Sequence, residues 1–151
     1  MSYQHLKDNI ESILNMEIDS VDNSLTKICE LLRQEVNHYD WVGFYFADHK
    51  TKTLHLRTYS GLETDHTVIP FGKGICGQVA LSNSNLIVPD VNVQENYLSC
   101  SIDVKSEIVI PLFKDGVNIG QIDIDSNTVN PFTTEDENLL VWVNEKVSEI
   151  L

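Results

Sequence analysis

Two cysteines in the second half of the chain lie in turn or loop positions rather than on an apolar stripe. Cys76 lies in a glycine-rich turn at residues 71–77, and Cys100 lies in a long polar loop at residues 91–105. Loops of that length inside a compact domain are more often functional than idle. Cys29 instead lies on the apolar stripe of a predicted helix, where a free cysteine behaves as a small hydrophobic residue. Cys76 and Cys100 are therefore candidates for a redox pair, and the pattern alone also allows two incidental thiols.

A hairpin with acidic residues is predicted after this loop. Residues 107–112 and 117–125 alternate in character on either side of a turn at residues 114–116. A two-residue turn would mix apolar and charged side chains on both faces of the hairpin. A three-residue loop keeps the faces separate by placing Ile108 opposite Ile122, so we predict that register.

This register makes Glu107 the direct cross-strand neighbour of Asp123, with Asp125 diagonal to Glu107 on the same face. Like charges directly opposite each other destabilise a sheet, so the cluster needs an explanation. It either lies on a solvated outer face or lines a pocket. In a pocket, crowding would hold one carboxyl protonated as a general acid and leave the others to bind a cation. The spacing does not decide between the two.

The remaining elements predict a frame for these groups. Apolar residues recur at helical spacing in residues 6–14, 21–36 and 139–150, with Asp19 or Ser20 as a cap for the second helix and Thr133 or Thr134 for the last. Strands are predicted at residues 41–46, 54–59 and 86–88, and a short helix at residues 75–81. We predict one α+β domain over residues 1–151: a central antiparallel sheet with the two N-terminal helices and the C-terminal helix on one face. A loop-covered pocket would lie on the other face, which carries Trp41 and Tyr45.

The charge of the chain argues against nucleic acid and membrane partners. It has 23 acidic and 10 basic residues, a formal net charge of -13 at pH 7, which repels phosphate backbones and anionic lipid surfaces. No run approaches the roughly 18 apolar residues that a membrane span needs, and the first residues lack the apolar core of a signal peptide. Its 3 widely spaced cysteines do not make a secreted disulfide framework. We therefore predict a cytoplasmic protein.

Two familiar motifs are disfavoured by their context. Residues 72–77 match the dinucleotide-binding spacing G-x-G-x-x-G, but Pro70 precedes them and an antiparallel hairpin follows, not a parallel β-α-β unit. His66, Cys76 and Cys100 could be imagined as zinc ligands, but they include no C-x-x-C pair and no fourth partner at a telling distance. We predict neither a bound cofactor nor a metal site.

Several separate blocks of the sequence resemble one family. They are residues 41–45, 71–77, 88–91, 106–112 and 120–126, together with Cys100. In this order they resemble the free methionine-R-sulfoxide reductases, which are stand-alone GAF domains. The resemblance implies a GAF fold and the thiol-dependent reduction of free L-methionine-(R)-S-oxide to L-methionine. It implies no bound cofactor, an external thioredoxin-type dithiol as reductant, and a homodimer as the common assembly of the family.

The resemblance also implies roles for individual residues. Cys100 would be the nucleophile that is left as a sulfenic acid, and Cys76 the resolving thiol that condenses with it to a disulfide. Glu107, Asp123 and Asp125 would form the acidic pocket, and Trp41 and Tyr45 its aromatic wall. His66 stands where many members have a further cysteine, which excludes a three-cysteine relay. Residues 96–101 differ from the usual Gly-His-Ile-Ala-Cys-Asp around the nucleophile. The alternative hypothesis is a GAF sensor that binds a small ligand without chemistry.

Overall fold

An antiparallel sheet forms the centre of the fold. The computed structural model describes residues 3–16, 20–94 and 103–151. The strands are β1 (Trp41–Asp48), β2 (Thr53–Ser60), β3 (Val68–Pro70), β4 (Leu86–Val88), β5 (Ser106–Lys114) and β6 (Val117–Ser126). Within the described residues they form one six-stranded sheet in the order β3-β2-β1-β6-β5-β4. The predicted antiparallel sheet is confirmed, and β3 is an additional strand at its edge.

Three helices cover one face of this sheet and a fourth covers the other. The helices are α1 (Gln4–Asn15), α2 (Val21–Glu35), α3 (Gly74–Ser82) and α4 (Thr134–Ser148), and a short 3-10 helix spans Val91–Val93. Ser20 caps α2, since its hydroxyl accepts a hydrogen bond from the Asn23 N–H at 3.2 Å. Among the described residues, no helix is both long and apolar enough to cross a membrane.

The main apolar core lies between the sheet and the helices α1, α2 and α4. Ile124 illustrates how the strands supply it, because its neighbours across β1 and β5 are Val42 and Ile108, and all three are fully buried. Successive residues of a strand point to opposite faces, so Asp123 and Asp125 must point away from this core. The predicted division of the sheet into two faces is therefore confirmed.

The hairpin register differs from the prediction by two residues. Asp115 and Gly116 form a two-residue turn with φ angles of 53° and 79°, which pairs Lys114 with Val117. Two left-handed residues fit the twist of a hairpin, as in a type I′ turn. One extra residue on β6, Ile119, then shifts the pairing.

The predicted pairing of Glu107 with Asp123 is consequently wrong. Glu107 lies opposite Asp125, and Asp123 lies opposite Val109 and diagonal to Glu107. A shift of two residues keeps every side chain on its face, which is why the separation of apolar and acidic residues still holds. The three acidic residues share one face as predicted. Asp125, and not Asp123, is the direct cross-strand neighbour of Glu107, and Asp123 takes the diagonal position.

Among the described residues, the second half of β5, from Ile110 to Lys114, has no strand partner on the side of β4. β4 pairs only with Glu107 to Val109, so the rest of β5 lies at the edge of the sheet. Asn144 on α4 covers this part, because its side-chain amide donates to the carbonyl oxygens of Ile110 and Pro111 at 2.9 and 3.0 Å.

Asp136 joins the start of α4 to the N-terminal part of the chain. Its Oδ1 atom accepts hydrogen bonds from the hydroxyls of Tyr3 and Tyr39 at 3.0 and 2.7 Å, and lies 2.9 Å from Nε2 of His38. Its Oδ2 atom accepts from the Thr133 N–H at 2.8 Å, within a capping box at the start of α4. Burial raises the pKa of this carboxyl, but these hydrogen bonds outweigh it and hold the pKa below its ordinary value.

We expect Asp136→Asn to lower the free energy of unfolding by about 1–3 kcal/mol at pH 7, because hydrogen bonds to a charged group are lost. A carboxyl whose pKa is lower in the folded state stabilises above its unfolded pKa of about 3.9 and loses that contribution as the pH falls through the folded pKa. The difference from the native protein should therefore shrink below about pH 4. Urea unfolding of both proteins, at pH 7 and below about pH 4, measures this difference in the free energy of unfolding. Glu145→Gln, at an exposed position of the same helix, is the control, and an equal loss at both pH values would contradict the role of the charge.

Candidate active site

The acidic residues of β5 and β6 are buried beneath α3. This helix packs on the second face of the sheet together with Trp41, Tyr45 and Val109. Glu107, Asp123 and Asp125 do not lie on a solvated outer face, since their exposed fractions are 5%, 2% and 2%. The alternative that the sequence left open is therefore decided in favour of a buried cluster.

The glycine-rich turn brings Cys76 onto this cluster. Gly72 and Gly74 have φ angles of 88° and 62°, a left-handed backbone that favours glycine. Gly77 packs so closely that a Cβ atom there would lie 2.7 Å from the carbonyl oxygen of Pro70. These glycines thus have a backbone role, which is to start α3 tightly enough for Cys76, in its first turn, to face the strands.

Cys76, Glu107 and Asp123 form a compact group. The Cys76 thiol donates a hydrogen bond to Oε2 of Glu107 with a sulfur–oxygen distance of 3.8 Å. One donor atom from each of the three side chains can be chosen so that all lie within 4.8 Å of one another. Oδ1 of Asp123 is buried and has no hydrogen-bond partner among the described residues.

Burial shifts the proton equilibria of this group. It raises the pKa of Asp123 above its ordinary value, although hydrogen bonds with Glu107 and Cys76 oppose the shift. Burial, together with the charges of Asp123 and Glu107, raises the pKa of the Cys76 thiol well above its ordinary value. The Cys76 side chain is consequently a protonated thiol at neutral pH, which makes it a weak nucleophile. The cluster holds protons that a reaction could use.

The two predicted aromatic residues lie beside the cluster in different ways. Tyr45 lines the cavity at the cluster, and its hydroxyl donates to the carbonyl oxygen of His66 at 2.8 Å. Trp41 is not among the residues that line this cavity. Its ring stacks on Tyr59 with centroids 5.5 Å apart, and its indole N–H donates to the carbonyl oxygen of Leu62 at 3.0 Å.

The predicted nucleophile, Cys100, lies outside the described residues, so its place relative to the cluster stays a prediction. His66, which the sequence singled out, lines the cavity. Sequence reasoning missed one neighbour of the cluster, the buried Gln121, whose side-chain amide donates to the carbonyl oxygen of Cys76 at 3.1 Å. Gln121 could have been found, because it shares the strand face of Asp123 and Asp125 by alternation.

The cavity at the cluster is small. Its volume is about 10 Å³, which is about the room that one water molecule needs. A much larger groove of about 510 Å³ lies elsewhere, around His38 and the start of α4. The buried carboxylate that lines this groove, Asp136, already accepts the hydrogen bonds described above. We therefore place the chemistry at the smaller, acidic cavity.

Comparison with known proteins agrees with this fold. Residues 19–143 match the family described as GAF domain, and the chain belongs to that family. It is 37% identical to GAF domain-containing protein A of Dictyostelium discoideum over 93% of this chain and 87% of that protein.

Relatives with a named activity lie within the same family. The chain is 31% identical to the free methionine-R-sulfoxide reductase of Saccharomyces cerevisiae over 100% of this chain and 80% of that protein. The crystal structure of free methionine-R-sulfoxide reductase from Neisseria meningitidis in complex with its substrate has a TM-score of 0.91 and 31% identity, covering 97% of this chain and 86% of that one. The resemblance seen in the sequence is thus confirmed: the chain has the GAF fold and is a homologue of these reductases.

The raised pKa of Cys76 can be tested in a protein whose other two cysteines are replaced, Cys29→Ala with Cys100→Ser. We expect thiolate absorbance to appear only well above the ordinary thiol pKa of about 8.5. Glu107→Gln should shift the titration down by about one unit, because it removes a nearby negative charge. The exposed Glu63→Gln should leave it unchanged, with circular dichroism monitoring the fold throughout. Titration of Cys76 at or below the ordinary value would contradict the assignment.

Proposed function

We propose that this protein reduces free L-methionine-(R)-S-oxide to L-methionine and is recycled by a thioredoxin-type dithiol. The observation that carries the proposal is the buried group of Cys76, Glu107 and Asp123 in a homologue of free methionine-R-sulfoxide reductases. A thiol among carboxyls that retain protons is the set of groups that sulfoxide reduction requires.

The first step needs an acid and a nucleophile together. A sulfoxide sulfur is a poor electrophile until its oxygen is protonated, and the raised pKa of Asp123 favours a carboxyl that carries a proton near neutral pH. In the proposed step, the thiolate of Cys100 attacks the sulfur while the acidic cluster protonates the oxygen. Methionine leaves, reduced by two electrons, and the oxygen remains on Cys100 as a sulfenic acid. Cys100 enters this proposal from the sequence alone.

The second step suits the state of Cys76. A protonated thiol is a poor first attacker, which favours Cys76 as the resolving residue. Its condensation with the sulfenic acid of Cys100 would give a disulfide and release water. An external dithiol would then reduce the disulfide by exchange and become a disulfide itself. This recycling requires a reducing compartment, and we propose the cytoplasm.

The free substrate would be held by charge and by aromatic surface. The acidic side chains of Glu107 and Asp125 suit its ammonium group, and Tyr45 with the nearby Trp41 suits its S-methyl group. The cavity of about 10 Å³ is too small for a whole amino acid, so this proposal requires the lining side chains to move apart when the substrate binds.

A GAF sensor that binds a small ligand without chemistry is the second candidate. The Dictyostelium relative, whose name gives a domain and no activity, shares more identity with this chain than the yeast reductase does. Thiol counting separates the two functions. We expect the fully reduced protein to lose two thiols when free methionine-(R)-sulfoxide is added, whereas a sensor would lose none.

We expect Cys100→Ser to abolish methionine formation and Cys76→Ser to allow about one turnover per protein before stalling. Cys29→Ala, which changes a buried cysteine on α2, should turn over continuously. Methionine released is measured by chromatography with thioredoxin, its reductase and NADPH present. Multiple turnover by Cys100→Ser would remove Cys100 as the nucleophile.

The stereochemistry of the substrate gives an independent check. In the same coupled assay we expect NADPH oxidation with the R sulfoxide of free methionine and not with the S sulfoxide. A preference for the S form, or no oxidation of NADPH with either form, would contradict the proposed function.

A further inference from the structure

We propose that Cys76, Glu107 and Asp123 bind one divalent ion of the Zn²⁺ class, which closes the candidate active site. The zinc ligands weighed from the sequence were His66, Cys76 and Cys100, and of these only Cys76 belongs to the site proposed here. The ion binding stands on the geometry of the described residues. Its inhibitory effect rests on the proposed function.

The spacing of the three side chains is close to that of a tetrahedral zinc site. With zinc–sulfur and zinc–oxygen distances of about 2.3 and 2.0 Å, a sulfur and an oxygen ligand lie about 3.5 Å apart. The Cys76 sulfur lies 3.8 Å from Oε2 of Glu107. The chosen donor atoms of all three residues lie within 4.8 Å of one another, so small side-chain adjustments complete the site.

Asp123 supplies an independent indication of a ligand. Its side chain is 2% exposed, and its Oδ1 atom has no hydrogen-bond partner among the described residues. A buried polar atom without a partner is costly and calls for an explanation. A metal ion in the adjoining cavity would use this oxygen as a ligand.

The charge of the cluster favours a cation over a neutral ligand. The side chains of Cys76, Glu107, Asp123 and the neighbouring Asp125 are all acidic and all buried. Such groups must either keep their protons or be neutralised by a positive charge, because isolated anions are not stable in a protein interior. A divalent ion displaces these protons, and its positive charge neutralises the thiolate and carboxylates that remain.

The small size of the cavity and the presence of a thiol among the ligands favour a single ion of the Zn²⁺ class. The cavity of about 10 Å³ admits a single ion or water molecule in the described conformation. Mg²⁺ and Ca²⁺ take oxygen ligands at six or more positions, whereas a thiolate with two carboxylates suits Zn²⁺ and its relatives Co²⁺ and Cd²⁺.

An ion bound in this way would stop the proposed reaction at both steps. Carboxylates that coordinate the metal cannot donate a proton to the sulfoxide oxygen. A thiolate held by the metal cannot condense with a sulfenic acid. The bound ion also fills the space into which the substrate must pass.

Cobalt binding tests the site without any substrate. We expect Co²⁺ added to the fully reduced, chelator-free protein to give a thiolate-to-cobalt charge-transfer band at one ion per protein, which Zn²⁺ abolishes and excess Mg²⁺ does not. Cys76→Ser should remove the band, and the nearly isosteric Asp123→Asn and Glu107→Gln should weaken Co²⁺ binding at least tenfold. Cys29→Ala and Cys100→Ser should retain it. No band in the native protein, or a band that survives Cys76→Ser, would overturn the proposal, and thermal unfolding confirms that each variant is folded.

Single-turnover kinetics test the inhibition separately. Pre-reduced protein, without thioredoxin, is mixed with methionine-(R)-sulfoxide in the presence or absence of one equivalent of Zn²⁺. We expect at least a tenfold loss of rate that a chelator restores, and no loss with Mg²⁺. An unchanged rate at saturating Zn²⁺ would overturn the inhibition. A cobalt band in a protein without reductase activity would support the metal site and reject the proposed function. Reductase activity in a protein that gives no cobalt band would reject only the metal site.

Discussion

Burial of acidic side chains between a sheet and a helix is the constraint on which the site depends. Glu107, Asp123 and Asp125 cannot all be ionised at low cost there, because the desolvation of each buried charge costs several kcal/mol. Burial accordingly raises the pKa of Asp123 above its ordinary value, and the same environment raises the pKa of the Cys76 thiol. The apolar core on the opposite face of the sheet, built from α1, α2 and α4, contributes the stability that offsets this cost.

The sequence predicted the four α-helices of the described residues, the strands other than β3 and the two faces of the sheet, because hydrophobic periodicity reports directly which side chains face a core. It did not predict the hairpin register. Asp115-Gly116 is a strong signal for a two-residue turn, but that turn alone would have mixed the faces, and the three-residue loop was the simpler remedy. The protein restores the faces with one extra residue at Ile119, and the sequence pattern carries no separate sign of such a bulge.

The sequence predicted that the acidic residues of the candidate site share one face of the sheet, but it did not predict which side chains touch there. The acidic residues could be placed on one face by alternation, whereas the approach of Cys76 depends on how α3 crosses the sheet, which is a tertiary property. The same packing brings His66 to the cavity. It also places the Cys76 sulfur beside two carboxylates from the neighbouring strands β5 and β6, a grouping that the spacing of these residues in the sequence does not reveal.

The way in which α4 covers the end of β5 has a consequence for self-association. An exposed strand edge is a template on which another chain can add a strand, which is the usual start of fibrous aggregation. Here Pro111 has no N–H to offer, and Asn144 occupies the carbonyl oxygens of Ile110 and Pro111. Lys114, whose ammonium group donates to the carbonyl oxygen of Ser148, places a positive charge at the end of this edge. Along this described edge, a second copy of the sheet therefore meets a surface that resists polymerisation.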